Sequence, residues 1–295
     1  MNVFSSISKD KFLENEPMSK HTSFQAGGPA DVLFTPTEVA ELLEVVDLCK
    51  QEDVPYYLIG RGSNVLFTDK GFRGVVIQTT ALKTMFKEGE LIYAAAGVNL
   101  ASLSNFLLKE GLSGFEFASG IPGSVGGAIY MNAGAYGEEM REVITWVEVF
   151  RDGKIEKISA EDMKFGYRHS LAKEEQMVIL GGYFTFVPKD PEEIREKILR
   201  LNGLRLSKQP LELPSAGSTF KRPPGHFAGK LIQDSELMGY RIGGAQVSTK
   251  HAGFIVNINR ATATDIMALV AHVKQTVYDK YQVTLEEELV IVGER

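Results

Sequence analysis

The chain has 295 residues, 44% of them hydrophobic and 24% charged, with 38 acidic against 32 basic side chains and a net charge of -6. That composition excludes fibrous, mucin-like and wholly disordered chains. An acidic balance without a basic run excludes a surface built to neutralise nucleic-acid phosphates. At roughly 100–200 residues per domain, the length allows two or three domains. The single cysteine, Cys49, leaves no internal disulfide and no cysteine-based metal cluster, which fits a reducing compartment. Met1 to Asp10 lacks the apolar core of a signal peptide. The longest uncharged stretch, 117–137, is broken by six glycines, Pro122 and Asn132 and is too polar for a bilayer helix. A cytoplasmic protein with no membrane and no nucleic-acid partner is expected.

The first clear helix is predicted to open at Thr35-Pro36-Thr37-Glu38, with Thr35 as N-cap and Pro36 in the first helical position. Val39, Leu42, Leu43, Val46 and Cys49 then share one face, which makes Cys49 a core residue. Residues 54–59 and 74–78 read as strands joined by a glycine-marked loop. Residues 91–95 form another strand, and Asn99 caps a helix aligning Leu100, Leu103 and Leu107. Further on, 143–150 and 154–158 flank Arg151-Asp152-Gly153, a hairpin signal, and Trp146 on the first of these strands reads as core. Asp190-Pro191-Glu192-Glu193 opens a helix carrying Ile194, Ile198 and Leu201. A short helix follows around Leu231 and Ile232, then a strand at 252–258. A long amphipathic helix bears Ile266, Leu269, Val270, Val273 and Val277, and a final strand occupies 289–292. Without steady βαβ alternation, the class is α+β.

Two glycine loops carry the chemistry. Gly60-Arg61-Gly62-Ser63-Asn64-Val65 follows a strand but has Val65 in the sixth position and a strand after it, so the Rossmann fingerprint fails. Gly225-His226-Phe227-Ala228-Gly229-Lys230-Leu231 likewise fails as a P-loop, in spacing and in the missing hydroxyl. Gly120-Ile121-Pro122-Gly123-Ser124-Val125-Gly126-Gly127, followed by Asn132-Ala133-Gly134-Ala135-Tyr136-Gly137, lets backbone N–H groups converge on an anion and lets a pyrophosphate approach the main chain. The two loops together could clasp one dinucleotide. His21, His169, His226, His251 and His272 show no ligand spacing, so no metal is expected.

These loops, with Ser23-Phe24-Gln25-Ala26-Gly27-Gly28-Pro29-Ala30, Tyr167-Arg168-His169-Ser170, Ala216-Gly217-Ser218-Thr219-Phe220-Lys221 and Gly243-Gly244-Ala245, resemble the UDP-N-acetylenolpyruvoylglucosamine reductase family over nearly the whole chain. The resemblance implies a two-subdomain FAD-binding part of the vanillyl-alcohol-oxidase (PCMH) type and a C-terminal α+β substrate domain. The expected limits are 1–190, with subdomains of about 1–80 and 81–190, and 191–295, with the last strand, about 285–295, able to return to the first subdomain. It implies FAD, NADPH as co-substrate and an enolpyruvyl ether of UDP-N-acetylglucosamine as acceptor, in an enzyme of peptidoglycan precursor synthesis. Hydride would pass from NADPH to FAD to the enolpyruvyl carbon. The short segment between Tyr167-Arg168 and Ser218 is similar to the subclass lacking an inserted tyrosine loop. A monomer is expected. The flavin should be non-covalent, since the only cysteine is on a core face and no histidine lies in either glycine loop.

By motif, the family's catalytic positions fall on Arg168, Ser218 and Glu288. A planar guanidinium grips a carboxylate bidentately without losing its charge. Ser218 would protonate the carbanion left by hydride addition, and Lys221 would help stabilise its alkoxide. Glu288 would hydrogen-bond the developing enolate in its proton-bearing form or orient a water. The cofactor candidates are Gly60, Arg61, Gly62, Ser63, Asn64, Val65, Gly120, Ile121, Pro122, Gly123, Ser124, Gly127, Asn132, Gly134 and Arg205. Tyr167, Lys221, Arg222 and Lys250 are the substrate-binding candidates. Val290 stands where the family commonly has arginine. Competing readings are an oxidase of an alcohol or sugar on the same fold, and a flavin-binding module without catalysis.

Overall fold

The computed structural model describes residues 8–175 and 177–294; residues 1–7, part of the opening read above as lacking a signal peptide, lie outside the described residues. The chain divides into two compact units. The first holds the described residues through Leu13, Leu33–Arg61 and Val75–Arg205. The second holds Glu14–Val32, Gly62–Gly74 and the described residues from Leu206 onward. These limits differ from the expected division at 190/191. The helix Pro191–Lys208 stays with the first unit as far as Arg205, because Lys197 pairs with Glu116 and Glu138 and the Tyr136 hydroxyl donates to the Leu201 carbonyl at 2.9 Å. The segment 62–74 belongs to the second, because the closing strand Val290–Val292 pairs in parallel with Val65–Phe67.

The first unit is built on a five-stranded antiparallel sheet in the order Lys154–Ser159, Ile144–Arg151, Val178–Thr185, Leu91–Ala95, Met85–Glu88. The predicted hairpin at Arg151-Asp152-Gly153 forms with Arg151 paired to Lys154 in the ladder, so that Asp152 and Gly153, both with positive φ (51° and 75°), make a two-residue turn. A register shift between Ile144 and Trp146 then reverses the inside–outside alternation, so Val147 and Val149 are buried while Trp146 is 40% exposed. The expectation of a core tryptophan is corrected by that bulge.

Helix Val39–Gln51 begins three residues later than predicted, with Glu38 as N-cap. The Glu41 carboxylate accepts the backbone N–H groups of Thr37 and Glu38 at 3.0 and 3.3 Å and binds the Lys11 ammonium, so the cap forms there and not at Thr35. Burial pushes the Cys49 thiol on this helix up to about 11. Asn99 caps helix Leu100–Lys109, its side chain accepting the Ala101 N–H at 2.9 Å.

The second unit packs helices Ala228–Asp234 and Ala263–Tyr281 with a three-stranded antiparallel sheet, Arg241–Ile242, Ala245–Val247 and Ile255–Asn257, around a core that includes Phe24, Leu66, Phe220, Ile266 and Val273. The long helix starts on a capping box of Thr262 and Asp265, and Asp69 accepts the N–H groups of Ala263 and Thr264 at 2.8 Å each. The whole is α+β. Among the described residues, no helix is long and apolar enough to cross a membrane.

Candidate active site

In the first unit the glycine-rich segment lies along residues 96–100. Gly126 and Val125 donate to the carbonyls of Ala96 and Val98 at 2.8 Å each, and Leu100 donates to that of Gly123 at 3.1 Å. The close approach needs glycine: a Cβ on Gly126 would stand 2.8 Å from the Ala96 Cβ. The helix Val125–Tyr130 then begins directly after Ser124. Gly60 reaches this point from the other loop, since a Cβ there would lie 2.0 Å from the Ser124 Oγ. Gly120 meets Asn202 and Arg205, whose Oδ1 and Nε would be 2.5 and 3.1 Å from an added Cβ. Arg205 is buried, with its guanidinium 5.9 Å from the Tyr136 ring centre. Gly60, Gly120, Ser124 and Arg205 thus gather in one unit, with Ile121, Pro122 and Gly123 between them in sequence and Gly127 exposed beside Ser124.

Other cofactor candidates have local duties. A Cβ on Gly134 would strike the Glu138 carbonyl across its own hairpin, and one on Gly62 (φ +62°) would strike the His21 carbonyl. The Gly62 carbonyl also accepts the Ser23 N–H. Gly60 and Arg61 fall in the first unit, and Gly62, Ser63, Asn64 and Val65 in the second. There, Asn64 donates its side-chain N–H to the Glu288 carbonyl at 3.0 Å and accepts the Val290 N–H.

Tyr167 and Arg168 occupy the two central positions of a tight turn closed by reciprocal backbone bonds between Gly166 and His169, at 3.1 and 3.2 Å. Arg168 has φ +55°, a left-handed conformation that costs a non-glycine residue ~1–3 kcal/mol and persists only where the surroundings enforce it. Its guanidinium lies 5.0 Å from the half-exposed Tyr167 ring.

In the second unit, Ser218 forms a backbone bridge with Phe254, and Phe220 forms one with Glu287. Buried Thr219 between them ties three segments together. Its N–H donates to the Gly253 carbonyl (2.9 Å), its Oγ1 accepts from Ile255 (3.2 Å), and its carbonyl accepts the Glu288 N–H (2.9 Å). Ser218 and Glu288 therefore sit on adjoining stretches of backbone. In the segment that pairs with Ser218, the His251 Nδ1 accepts the Gly253 N–H at 3.1 Å, and burial lowers the pKa of this histidine. The Lys221 ammonium is bound to Glu286 at 3.1 Å. Arg222 lies 3.9 Å over the Phe227 ring, and Lys250 donates to the Leu206 carbonyl at 2.8 Å.

Residues 209–292 match the C-terminal domain of UDP-N-acetylenolpyruvoylglucosamine reductase, and residues 30–159 match an FAD binding domain. A reductase of that name from Caldanaerobacter subterraneus subsp. tengcongensis is 47% identical over 290 residues, which cover 98% of this chain and 96% of the relative. Another, from Listeria welshimeri, is 49% identical over 281 residues, 95% of each chain. The chain belongs to the UDP-N-acetylenolpyruvoylglucosamine reductase family. The crystal structure of the enzyme from Thermus caldophilus matches it with a TM-score of 0.82 at 34% identity, covering 94% of this chain and 98% of that one.

One observation in the first unit fits the flavin that this family membership brings. The Ser124 Oγ is buried and has no hydrogen-bond partner among the described residues, which is rare for a buried hydroxyl unless something else supplies the bond. It fills the space beside Gly60 that a Cβ would occupy. The roles of Thr219, His251 and Asn64 as backbone ties were not legible in the motifs. Thr219, directly after Ser218 in its motif, was the available signal.

Proposed function

We propose that this chain is the FAD-dependent enzyme that uses NADPH to reduce UDP-N-acetylglucosamine enolpyruvate to UDP-N-acetylmuramate. The observation that carries the reading is the joining of Ser218 and Glu288 through Thr219 in a chain of this family. Gly60, Arg61, Gly120, Ile121, Pro122, Gly123, Ser124, Gly127 and Arg205 would hold FAD. Bound FAD supplies the hydride relay between NADPH and the terminal enolpyruvyl carbon.

The protein's own share is electrostatics and one proton. Arg168 grips the substrate carboxylate, whose charge grows as the adjacent carbon becomes carbanionic. Ser218 gives its hydroxyl proton to that carbon, forming the C–H bond of the lactyl ether, and the alkoxide regains a proton from solvent. A serine hydroxyl is a weak acid, but a carbanion is a strong enough base to take its proton. Glu288, on the backbone stretch next to Ser218, acts in its proton-bearing form and donates a hydrogen bond to the developing enolate. Tyr167, Arg222 and Lys250 are assigned to the UDP-sugar. The reading treats the protein as cytoplasmic and monomeric.

The test is the visible spectrum of the purified protein combined with NADPH oxidation. A yellow protein that oxidises NADPH stoichiometrically with the enolpyruvyl sugar supports the assignment. A protein that takes up no flavin, or that oxidises NADPH equally without the sugar, refutes it.

A further inference from the structure

Asn132, expected above to contact the cofactor, is completely buried. Its side-chain donor and acceptor groups are spent inside the protein. Nδ2 donates to the Glu139 carboxylate and to the Gly166 carbonyl, both at 2.9 Å, and Oδ1 accepts the Arg141 N–H at 3.0 Å. Two acceptors on one side and a donor on the other allow only one orientation of the amide.

The Gly166 carbonyl opens the turn that carries Tyr167 and Arg168, and it already accepts the His169 N–H. Asn132 takes its second lone pair. Past the other end of the turn, the Ser170 hydroxyl donates to the Tyr130 carbonyl at 2.8 Å. The stretch of chain that leaves the glycine helix thus holds both flanks of the turn. Arg168 needs such support, because its backbone sits at φ +55°, where its own preference would open the turn. Asn132 suits the post, since asparagine tolerates the left-handed φ of +42° found there.

We infer that Asn132 is a positioning residue: it fixes the Gly166–His169 turn so that Arg168 meets the substrate carboxylate. This rests on the assignment of Arg168 to that carboxylate under the proposed function.

The holoenzyme is titrated calorimetrically with UDP-N-acetylmuramate, which has the carboxylate, and with UDP-N-acetylglucosamine, which lacks it. Arg168→Ala is the reference. Asn132→Asp keeps the shape but turns an acceptor toward Gly166; it should weaken UDP-N-acetylmuramate by ~10-fold or more and shift UDP-N-acetylglucosamine by less than about twofold. Adding Glu139→Gln exchanges donor and acceptor between positions 132 and 139 while Gly166 still faces an acceptor. The double variant should therefore regain thermal stability without regaining the carboxylate ligand, and it carries the test if Asn132→Asp alone does not fold. If the double variant recovers both, or if Asn132→Asp binds both ligands like wild type, the positioning role is overturned. Loss of the carboxylate ligand in Arg168→Ala alone would leave the assignment of Arg168 standing. Unchanged binding in Arg168→Ala would overturn that assignment and the inference with it.

Discussion

Ser124→Ala should move two measurements in opposite directions. The Ser124 Oγ is buried without a partner among the described residues, and leaving a hydroxyl so costs about 1–3 kcal/mol. Replacing the hydroxyl by hydrogen removes that penalty with little change in volume. The flavin-free variant should therefore melt higher, by ~2–4 °C per kcal/mol recovered for a unit of this size. The same change removes the hydrogen bond that Ser124 would give bound FAD. A hydrogen bond to a charged group contributes about 1.5–3 kcal/mol, so FAD should bind roughly 10–100-fold more weakly. Differential scanning fluorimetry of flavin-free protein measures the first quantity, and quenching of flavin fluorescence on titration measures the second. A flavin-free variant that melts lower than wild type, or an FAD affinity that does not change, would show that Ser124 is a packing residue and that the flavin is held elsewhere.

Ser218→Ala should let NADPH bleach the flavin at close to the normal rate while reoxidation by the enolpyruvyl sugar slows ~10²–10⁴-fold, the range for loss of a positioned general acid; fast reoxidation in anaerobic rapid mixing would assign the proton elsewhere. Arg168→Lys keeps the charge and loses the bidentate fork, so it should lower kcat with the enolpyruvyl sugar while flavin content stays normal; wild-type turnover would remove Arg168 from the carboxylate. Glu116 is buried, which by itself raises its pKa, but hydrogen bonds from Ser113, Gly114 and Lys197 outweigh burial and hold it below the usual carboxylate range. Its folded pKa being the lower one, the stability it contributes is complete above the unfolded value and is lost as pH falls through the folded value. Glu116→Gln should flatten chemical-denaturation stability across that acidic window, and parallel curves for the two proteins would contradict the assignment.

Several features were readable because they are local. The Asp152–Gly153 turn, the Asn99 cap and the start of the helix at Pro191 depend on residues within a few positions of one another. The family motifs were readable as well, because glycines at close backbone approaches leave a recognisable spacing. The cap at Glu38 shows where local reading stops: Thr35-Pro36 is a sound helix start, but the Glu41 carboxylate and Lys11 together move the start onward.

The sequence by itself determined the α+β class, the glycine loops and the identities of the candidate groups, since these follow from periodicity, turn chemistry and motif. Only the tertiary structure decided what those groups do for one another. A bulge turned Trp146 outward, Glu286 took the Lys221 ammonium, and Asn132 was drawn into the Arg168 turn. The bond from Asn64 to Glu288 joins residues 224 positions apart. Each outcome is a choice among hydrogen-bonding partners far away in the chain, and a side chain's composition says what it can bond to but not which partner folding will bring within 3 Å.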